Sequence, residues 1–217
     1  MKKSLICLLF FVLSISIIAQ ESSNESWNNI LHFNVGYAIS TSNWEFTHPY
    51  VLGNGSFTGR ISGTFEESYL FSGGFEFSKG YLGYQANVGL FPAKFFITKQ
   101  VDPGVIQIRN DVYSFTAIFL EADVILFPLG NPVDKITPYV KAGVSGMKTT
   151  GDIDNTILAL SFNAGSRIFI NENFGVDASI KFRYMILYNV QLTDQITASK
   201  GVSISSLIAN VGILYRL

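Results

Sequence analysis

The segment Ala209-Asn210-Val211-Gly212-Ile213-Leu214-Tyr215-Arg216-Leu217 is the part of this 217-residue chain that best indicates its fold class. Apolar residues alternate along it with polar or small ones, and Leu214 is the one exception. Because successive side chains of a strand point to opposite sides, this pattern is typical of a β-strand whose two faces contact different surroundings. We expect such a last strand to pair with the first one, since closing a sheet removes its free edges.

Seven earlier segments show the same alternation, which gives eight strands in all. They lie at about 31–40, 69–78, 82–90, 112–127, 139–145, 158–168 and 176–184. Short connections are predicted at 79–80, 128–136 and 171–173, and long loops at 41–68, 92–111, 148–155 and 189–201. Short periplasmic turns that alternate with long external loops are typical of bacterial outer-membrane barrels. The sequence therefore predicts an all-β fold, an eight-stranded antiparallel up-and-down transmembrane β-barrel.

The first 20 residues are predicted to be a cleavable signal peptide, because Lys2 and Lys3 precede an almost wholly apolar run. Residues 21–217 then form one outer-membrane barrel domain, located in a Gram-negative bacterium. The single cysteine, Cys7, lies in the leader, so no disulfide is expected in the exported chain. Without the two leader lysines, 13 basic residues stand against 16 acidic ones, a balance that does not favour nucleic-acid binding.

Charged residues set which face of each strand points inward. On the predicted phase the barrel lumen receives Glu76, Glu121, Asp123, Lys141, Arg167, Asp177, Lys181, Arg183 and Arg216. The opposite phase would place them in lipid, where a basic residue costs roughly 2–4 kcal/mol at the midplane. Four acids and five bases predict a paired network, for example Glu121 or Asp123 with Lys141, and Asp177 with Arg167 or Arg183. The network either only neutralises buried charge or forms a gate or ion path.

For the fourth strand, 112–127, the sequence does not determine which residues of the upper part face the lumen. Its lower part alternates cleanly, but continuing that phase upward sends Tyr113, Phe115 and Phe119 into the lumen. Either these aromatic rings fill the lumen or a β-bulge near Ala117 shifts the phase, and the sequence slightly favours the bulge.

Several local motifs resemble those of small eight-stranded outer-membrane barrels, the OmpA-like and porin-family barrel domains. They are Leu120-Glu121-Ala122-Asp123-Val124, Pro138-Tyr139-Val140-Lys141-Ala142-Gly143-Val144, Asn173-Phe174-Gly175-Val176-Asp177 and the terminal strand. The resemblance implies an assembly signal at Tyr215 and Leu217 that the barrel-insertion machinery reads. Such barrels commonly end in Phe, whereas this chain has Leu217. The family hosts many functions, so it implies location and architecture but no substrate.

Residues suited to catalysis or metal binding are few. The two histidines are His32, on the lumen face of the first strand, and His48, in the first predicted loop among Ser, Thr and Glu residues. Asp152 to Asn155 matches only a fragment of a calcium loop. We therefore predict no catalytic residue, no metal and no cofactor. Five aromatic residues near predicted strand ends are expected to contact lipid headgroups, namely Trp27, Trp44, Tyr113, Tyr188 and Tyr215.

The function predicted first is non-enzymatic. An eight-stranded barrel is just wide enough for side chains to fill it, which favours a structural or surface-interaction role through four external loops. The expected partners are outer-membrane lipid, the barrel-insertion machinery and an extracellular ligand of the loops, which Trp44, Phe46, Phe95 and Phe96 could contact. The alternative is a narrow passive conduit for small or apolar solutes, indicated by inward Gly, Ser and Asn. A lipid-modifying enzyme that uses His48 ranks below both.

Overall fold

A computed structural model of the protein describes residues 27–39, 42–52, 55–102, 105–130, 132–133, 135–153, 155–187, 190–193, 196–198 and 202–217. The predicted signal peptide lies outside these ranges. Within them, no helix is both long and apolar enough to cross a membrane.

Most of the described residues lie in β-strands. They are β1 Asn28–Ala38, β2 Ser42–Leu52, β3 Gly55–Glu67, β4 Tyr69–Lys79, β5 Leu82–Asp102, β6 Val105–Leu126, β7 Ile136–Gly151, β8 Thr156–Phe169, β9 Phe174–Leu187, β10 Val190–Thr193, β11 Ile196–Ala198 and β12 Val202–Arg216. Eight of them form a closed ring in the order β1-β4-β5-β6-β7-β8-β9-β12, in which every neighbouring pair is antiparallel.

The ring closes where the sequence predicts it to close. The terminal strand β12 pairs with β1 over nine positions, from Ile30 opposite Arg216 to Ala38 opposite Ile208. The eight-stranded ring therefore has no unpaired strand edge at this level, as a lipid environment requires. The predicted fold class, an antiparallel eight-stranded barrel, is confirmed.

The strands are longer than predicted. The segment 41–68, predicted as a loop, contains the hairpin β2–β3, and β3 continues the wall above β4 by pairing with β5. The segment 92–111 was also predicted as a loop, yet β5 runs on to Asp102 and β6 begins at Val105. Pro92 does not end its strand. These loop predictions are wrong because several outward residues whose side chains are described, such as Thr64, Glu66 and Lys94, are polar, so an apolar outward face does not mark the strands.

The predicted bulge near Ala117 is also wrong. Pairing of β6 with β5 is continuous from Leu126 to Asp111, and the register shift falls higher, between Ile97 and Lys99 of β5. Phe115, Ala117 and Phe119 are all buried on the lumen side. The aromatic rings therefore fill the lumen, which is the alternative that the sequence left open.

The outer wall carries an apolar band. Phe33 on β1 and Leu120 on β6 are 62% and 69% exposed, and their outward neighbours along each strand are also apolar. The rings of Tyr37 and Tyr69 pack against each other at the upper edge of the band, tilted by 56° with their centroids 5.3 Å apart. At the lower edge the rings of Phe174 and Tyr215 lie 4.9 Å apart. Above the band, outward residues such as Thr64, Glu66, Lys94 and Ser114 are polar.

The polarity of the lumen also changes along the barrel axis. A small apolar cluster of Ile30, Phe169 and Leu214 closes its lower end, and a polar belt lies above it. The top is filled by the upper apolar cluster, which comprises Ile61, Phe65, Leu70, Phe91, Ala93, Phe95, Ile97, Phe115, Ala117, Phe119, Met147, Ile153, Ile157, Ala159, Met185, Leu187, Ile204 and Ile208. The lumen is thus polar in the belt and apolar above and below it.

Candidate functional site in the barrel lumen

The lower part of the polar belt is built around Arg167 of β8. Its guanidinium donates to both oxygens of Glu76, with Nη1–Oε1 and Nη2–Oε2 distances of 2.8 and 2.5 Å. It also lies between the rings of Phe127 and Tyr139, with centroids at 5.0 and 4.9 Å from Cζ. A bidentate pair and two ring faces leave this fully buried cation well compensated for its lost hydration.

Two further groups extend this cluster. His32 Nε2 lies 3.0 Å from Glu76 Oε2. On the other side Asp177 Oδ2 lies 3.7 Å from Arg167 Nε, and the Tyr139 hydroxyl donates to Asp177 Oδ1 at 2.9 Å. Side chains from β1, β4, β7, β8 and β9 therefore meet across the lumen in one connected group, which we call the Arg167 cluster.

A second set of contacts lies above it. Lys181 Nζ is 2.6 Å from Glu121 Oε2, and the Ser161 hydroxyl donates to Glu121 Oε1 at 2.6 Å. Arg183 pairs with Glu67 at 2.9 Å and lies over the ring of Phe91, with 4.7 Å from Cζ to the centroid. These pairs stand directly under the upper apolar cluster, where an unpaired charge would be costly.

Lys141 reaches Asp123 only indirectly. Its ammonium donates to Gln85 Oε1 at 3.2 Å, Gln85 donates to Asn87 at 2.8 Å, and Asn87 donates to Asp123 Oδ2 at 3.0 Å. The side-chain amides of Gln85 and Asn87 each accept one hydrogen bond and donate the next. Lys141 and Asp123, which lie on different strands, are therefore joined by one chain of hydrogen bonds.

The structure places seven of the nine sequence-predicted charges in buried lumen positions. They are Glu76, Glu121, Asp123, Arg167, Asp177, Lys181 and Arg183. Lys141 and Arg216 are half-buried, and Arg216 lies at the lower end of β12. The predicted partners are only partly those found. Asp177 does lie beside Arg167, but the direct contact predicted between Lys141 and Glu121 or Asp123 is wrong, because Lys181 occupies the position next to Glu121.

Sequence reasoning missed Glu67, the partner of Arg183. It lay inside the predicted first loop, yet Ile61, Gly63, Phe65 and Glu67 alternate with polar residues as a strand does. Tyr139 was also missed, although its phase relative to Lys141 points it inward. Both residues have a period-two signal, and for Glu67 the outward neighbours Thr64 and Glu66 are polar.

Small inward residues do not leave an open path. A Cβ placed on Gly143 would collide with the Asp123 carboxylate, and one placed on Gly74 would collide with the Asn87 amide. These glycines therefore make room for polar side chains of the next strand, which lie across them. The inward glycines that suggested a conduit are covered.

The remaining sequence-predicted residues either lie outside the described side chains or have other contacts. The side chains of His48, Trp44 and Phe46 lie outside the described set, as does Tyr188. Tyr113 is half-buried against the upper apolar cluster and is not a lipid anchor, and Phe95 is buried in that cluster, so it cannot contact an external partner. The Asp152 carboxylate accepts a hydrogen bond from the Ser114 backbone N–H at 2.8 Å, which fastens a turn.

Solved structures with a similar fold are outer-membrane proteins. The outer membrane protein OprG from Pseudomonas aeruginosa matches with a TM-score of 0.52 and 9% identity, over 89% of this chain and 97% of that one. This chain has the fold of an outer-membrane β-barrel. Weaker likenesses are Neisserial surface protein A, with a TM-score of 0.43, 15% identity and coverage of 87% and 98%, and the outer membrane protease OmpT from Escherichia coli, with 0.41, 10% and coverage of 90% and 99%.

No family model matches the sequence, and the search of curated proteins gives no match. At 9% identity the likeness to OprG extends to the fold alone, and one fold can host many functions. The function of this barrel must therefore be argued from its own wall and lumen.

Proposed function

We propose that this protein is an integral outer-membrane barrel of the OmpA-like kind with a closed lumen, and that its role is structural or surface-interactive and not catalytic. The apolar band on the wall, edged by aromatic pairs, supports insertion in a bilayer. The upper wall, where Thr64, Glu66 and Lys94 face outward, then stands outside the cell. Assembly through the insertion machinery would use Tyr215 and Leu217 in the terminal strand.

The observation that carries the closed lumen is the burial of inward side chains at successive levels. Arg167 is 0% exposed, and Arg183 and Phe119 above it are each 1% exposed. Side chains that line a water-filled pore are wetted and would show exposure. Here the charges are instead matched to one another and to aromatic rings, which is how a filled eight-stranded barrel satisfies them.

Planar-bilayer recording tests this proposal. The purified full-length mature protein should insert without steady conductance steps. The double variant Phe119→Ala/Phe91→Ala, which removes two rings from the lumen just above the ion pairs, should conduct in brief openings if the rings complete the seal. Steady, voltage-independent conductance of the unchanged protein would reject the closed lumen and favour the conduit.

The localisation has a separate test. Expressed with its leader, the protein should fractionate with outer-membrane vesicles and migrate differently on gels before and after heating, as folded barrels do. Recovery in the soluble fraction would reject the membrane assignment whatever the conductance.

A further inference from the structure

The connection from β7 to β8 turns inward over the upper end of the lumen. Gly151, the last residue of β7, and Asp152 are exposed, whereas the next residue, Ile153, is only 1% exposed and belongs to the upper apolar cluster. One apolar side chain therefore enters the lumen from outside the ring of strands. We call Gly151, Asp152 and Ile153 the lumen cap.

Gly151 allows the chain to make this inward turn. Its φ of +121° lies in a region that glycine adopts readily and that other residues rarely adopt. A Cβ at this position would also lie 2.8 Å from the carbonyl oxygen of Ser114 on β6. The chain can therefore leave β7 and pass close to β6 because residue 151 has no side chain.

Asp152 attaches the lumen cap to β6. Its N–H donates to the Ser114 carbonyl at 3.0 Å, and its carboxylate accepts a hydrogen bond from the Ser114 N–H at 2.8 Å. This pair of bonds continues the β6–β7 ladder one step beyond Phe115 opposite Gly151, with a carboxylate in place of a backbone carbonyl. Because Asp152 and Ser114 are both exposed, water competes for these bonds and their net contribution to stability is small.

The return of the chain into β8 has a buried attachment. Thr149 is 0% exposed, and its N–H and hydroxyl donate to the Asn155 carbonyl at 2.9 and 3.2 Å. The Asn155 N–H donates in turn to Thr149 Oγ1 at 2.7 Å. Breaking these bonds would leave buried polar groups unpaired, which is costly. The connection thus has a firm base between Thr149 and Asn155 and a weaker, water-exposed attachment at Asp152.

We propose that the lumen cap is a lid, which opens when Asp152 separates from Ser114 while the Thr149–Asn155 base acts as its hinge. Opening withdraws Ile153 and admits water and small molecules to the upper apolar cluster. The opened space ends at the level of Phe119 and Arg183, which are each 1% exposed. The lid therefore gives access to a chamber and not to a path through the barrel. This inference rests on the closed lumen proposed above.

Thiol labelling tests the lid, because the single native cysteine, Cys7, lies in the predicted leader. Ala159→Cys places a reporter in the upper apolar cluster, and Ser179→Cys places one below Phe119 and Arg183. The full mature protein in nanodiscs is treated with a small charged methanethiosulfonate that does not enter lipid, and mass spectrometry follows the labelling rate. Both reporters should react slowly while the lumen cap is unchanged.

Variants of the lumen cap should change only the upper reporter. Asp152→Ala should raise the labelling rate of Ala159→Cys about tenfold, as expected on losing one charge-assisted hydrogen bond, and Ile153→Ser should also raise it. Asp152→Asn keeps an acceptor oxygen and should restore most of the slow rate. The matched control is Glu66→Ala, which removes an exposed carboxylate outside the lumen cap and should leave the rate unchanged.

Equal labelling of Ala159→Cys in Asp152→Ala and Glu66→Ala would overturn the lid. Rapid labelling of Ser179→Cys in Asp152→Ala alone would overturn the chamber, because the opened lid would then lead through the barrel. Rapid labelling of Ser179→Cys with the lumen cap unchanged is a different result, which rejects the closed lumen itself. Each variant must keep the heat-dependent gel mobility of a folded barrel, and Ile153→Ser supplies the same comparison if Asp152→Ala does not fold.

Discussion

The Arg167 cluster gives the sharpest test of how this lumen is stabilised. Replacing Arg167 by Met keeps a long side chain between Phe127 and Tyr139 but removes the cation that neutralises Glu76 and lies beside Asp177. Among the described residues, Glu76 would then keep His32 as its polar contact, and Asp177 would keep the Tyr139 hydroxyl. Breaking a buried ion pair from one side costs about 3–5 kcal/mol, because the remaining charge stays desolvated. At about 4 kcal/mol, the unfolding equilibrium constant rises roughly a thousandfold.

The assay is urea unfolding of the protein in lipid vesicles, followed by tryptophan fluorescence and by the gel mobility of the folded form. Arg167→Met should lower the unfolding free energy by the stated amount. The double variant Arg167→Met/Glu76→Met removes both charges of the pair, so its loss should be smaller than the sum of the single losses by about 2 kcal/mol. Arg216→Met, at the half-buried end of β12, is the control and should change stability by about 1 kcal/mol or less. A loss below about 1 kcal/mol for Arg167→Met, or strict additivity in the double variant, would refute the reasoning.

Three further predictions use the same unfolding assay or its folding counterpart. Gly143→Val should lower the unfolding free energy by about 1–3 kcal/mol because its side chain would displace the Asp123 carboxylate. Gly146→Val is the control and should be close to neutral, since a Cβ there meets nothing within 4 Å; equal losses of stability would contradict the covered-glycine arrangement. Leu120→Arg, in the apolar band, should lower the unfolding free energy by about 2–4 kcal/mol, and Thr116→Arg, above it on the same strand face, by about 0–1 kcal/mol. A larger loss for Thr116→Arg than for Leu120→Arg would contradict the proposed position of the membrane boundary. Tyr215→Ala should slow insertion into vesicles by the purified insertion machinery more than Phe174→Ala, which truncates the other ring of the same pair; identical rates would remove Tyr215 from the assembly signal.

The strands of the lower barrel and their inward faces could be predicted from the sequence, because each strand by itself separates lipid from a polar lumen. Lipid contacts one face of β9 and β12 and the polar lumen contacts the other, so every second residue carries the information. The inward phase of Glu76, Arg167 and Asp177 follows from that rule without knowledge of any neighbour. The same rule fails in the upper parts of β3, β5 and β6, where the outward face meets water and the lumen is apolar.

Two properties were decided only by the tertiary structure. One is the choice of partners: Arg167 meets Glu76 across 91 residues and Arg183 meets Glu67 across 116, which depends on the stagger of all the intervening strands. The other is the extension of the wall past Pro92, where β3 replaces β4 beside β5. Local alternation determines which way a side chain points, because a strand has only two faces. Which side chain it meets depends on how the closed ring sets the heights of strands that are distant in the chain.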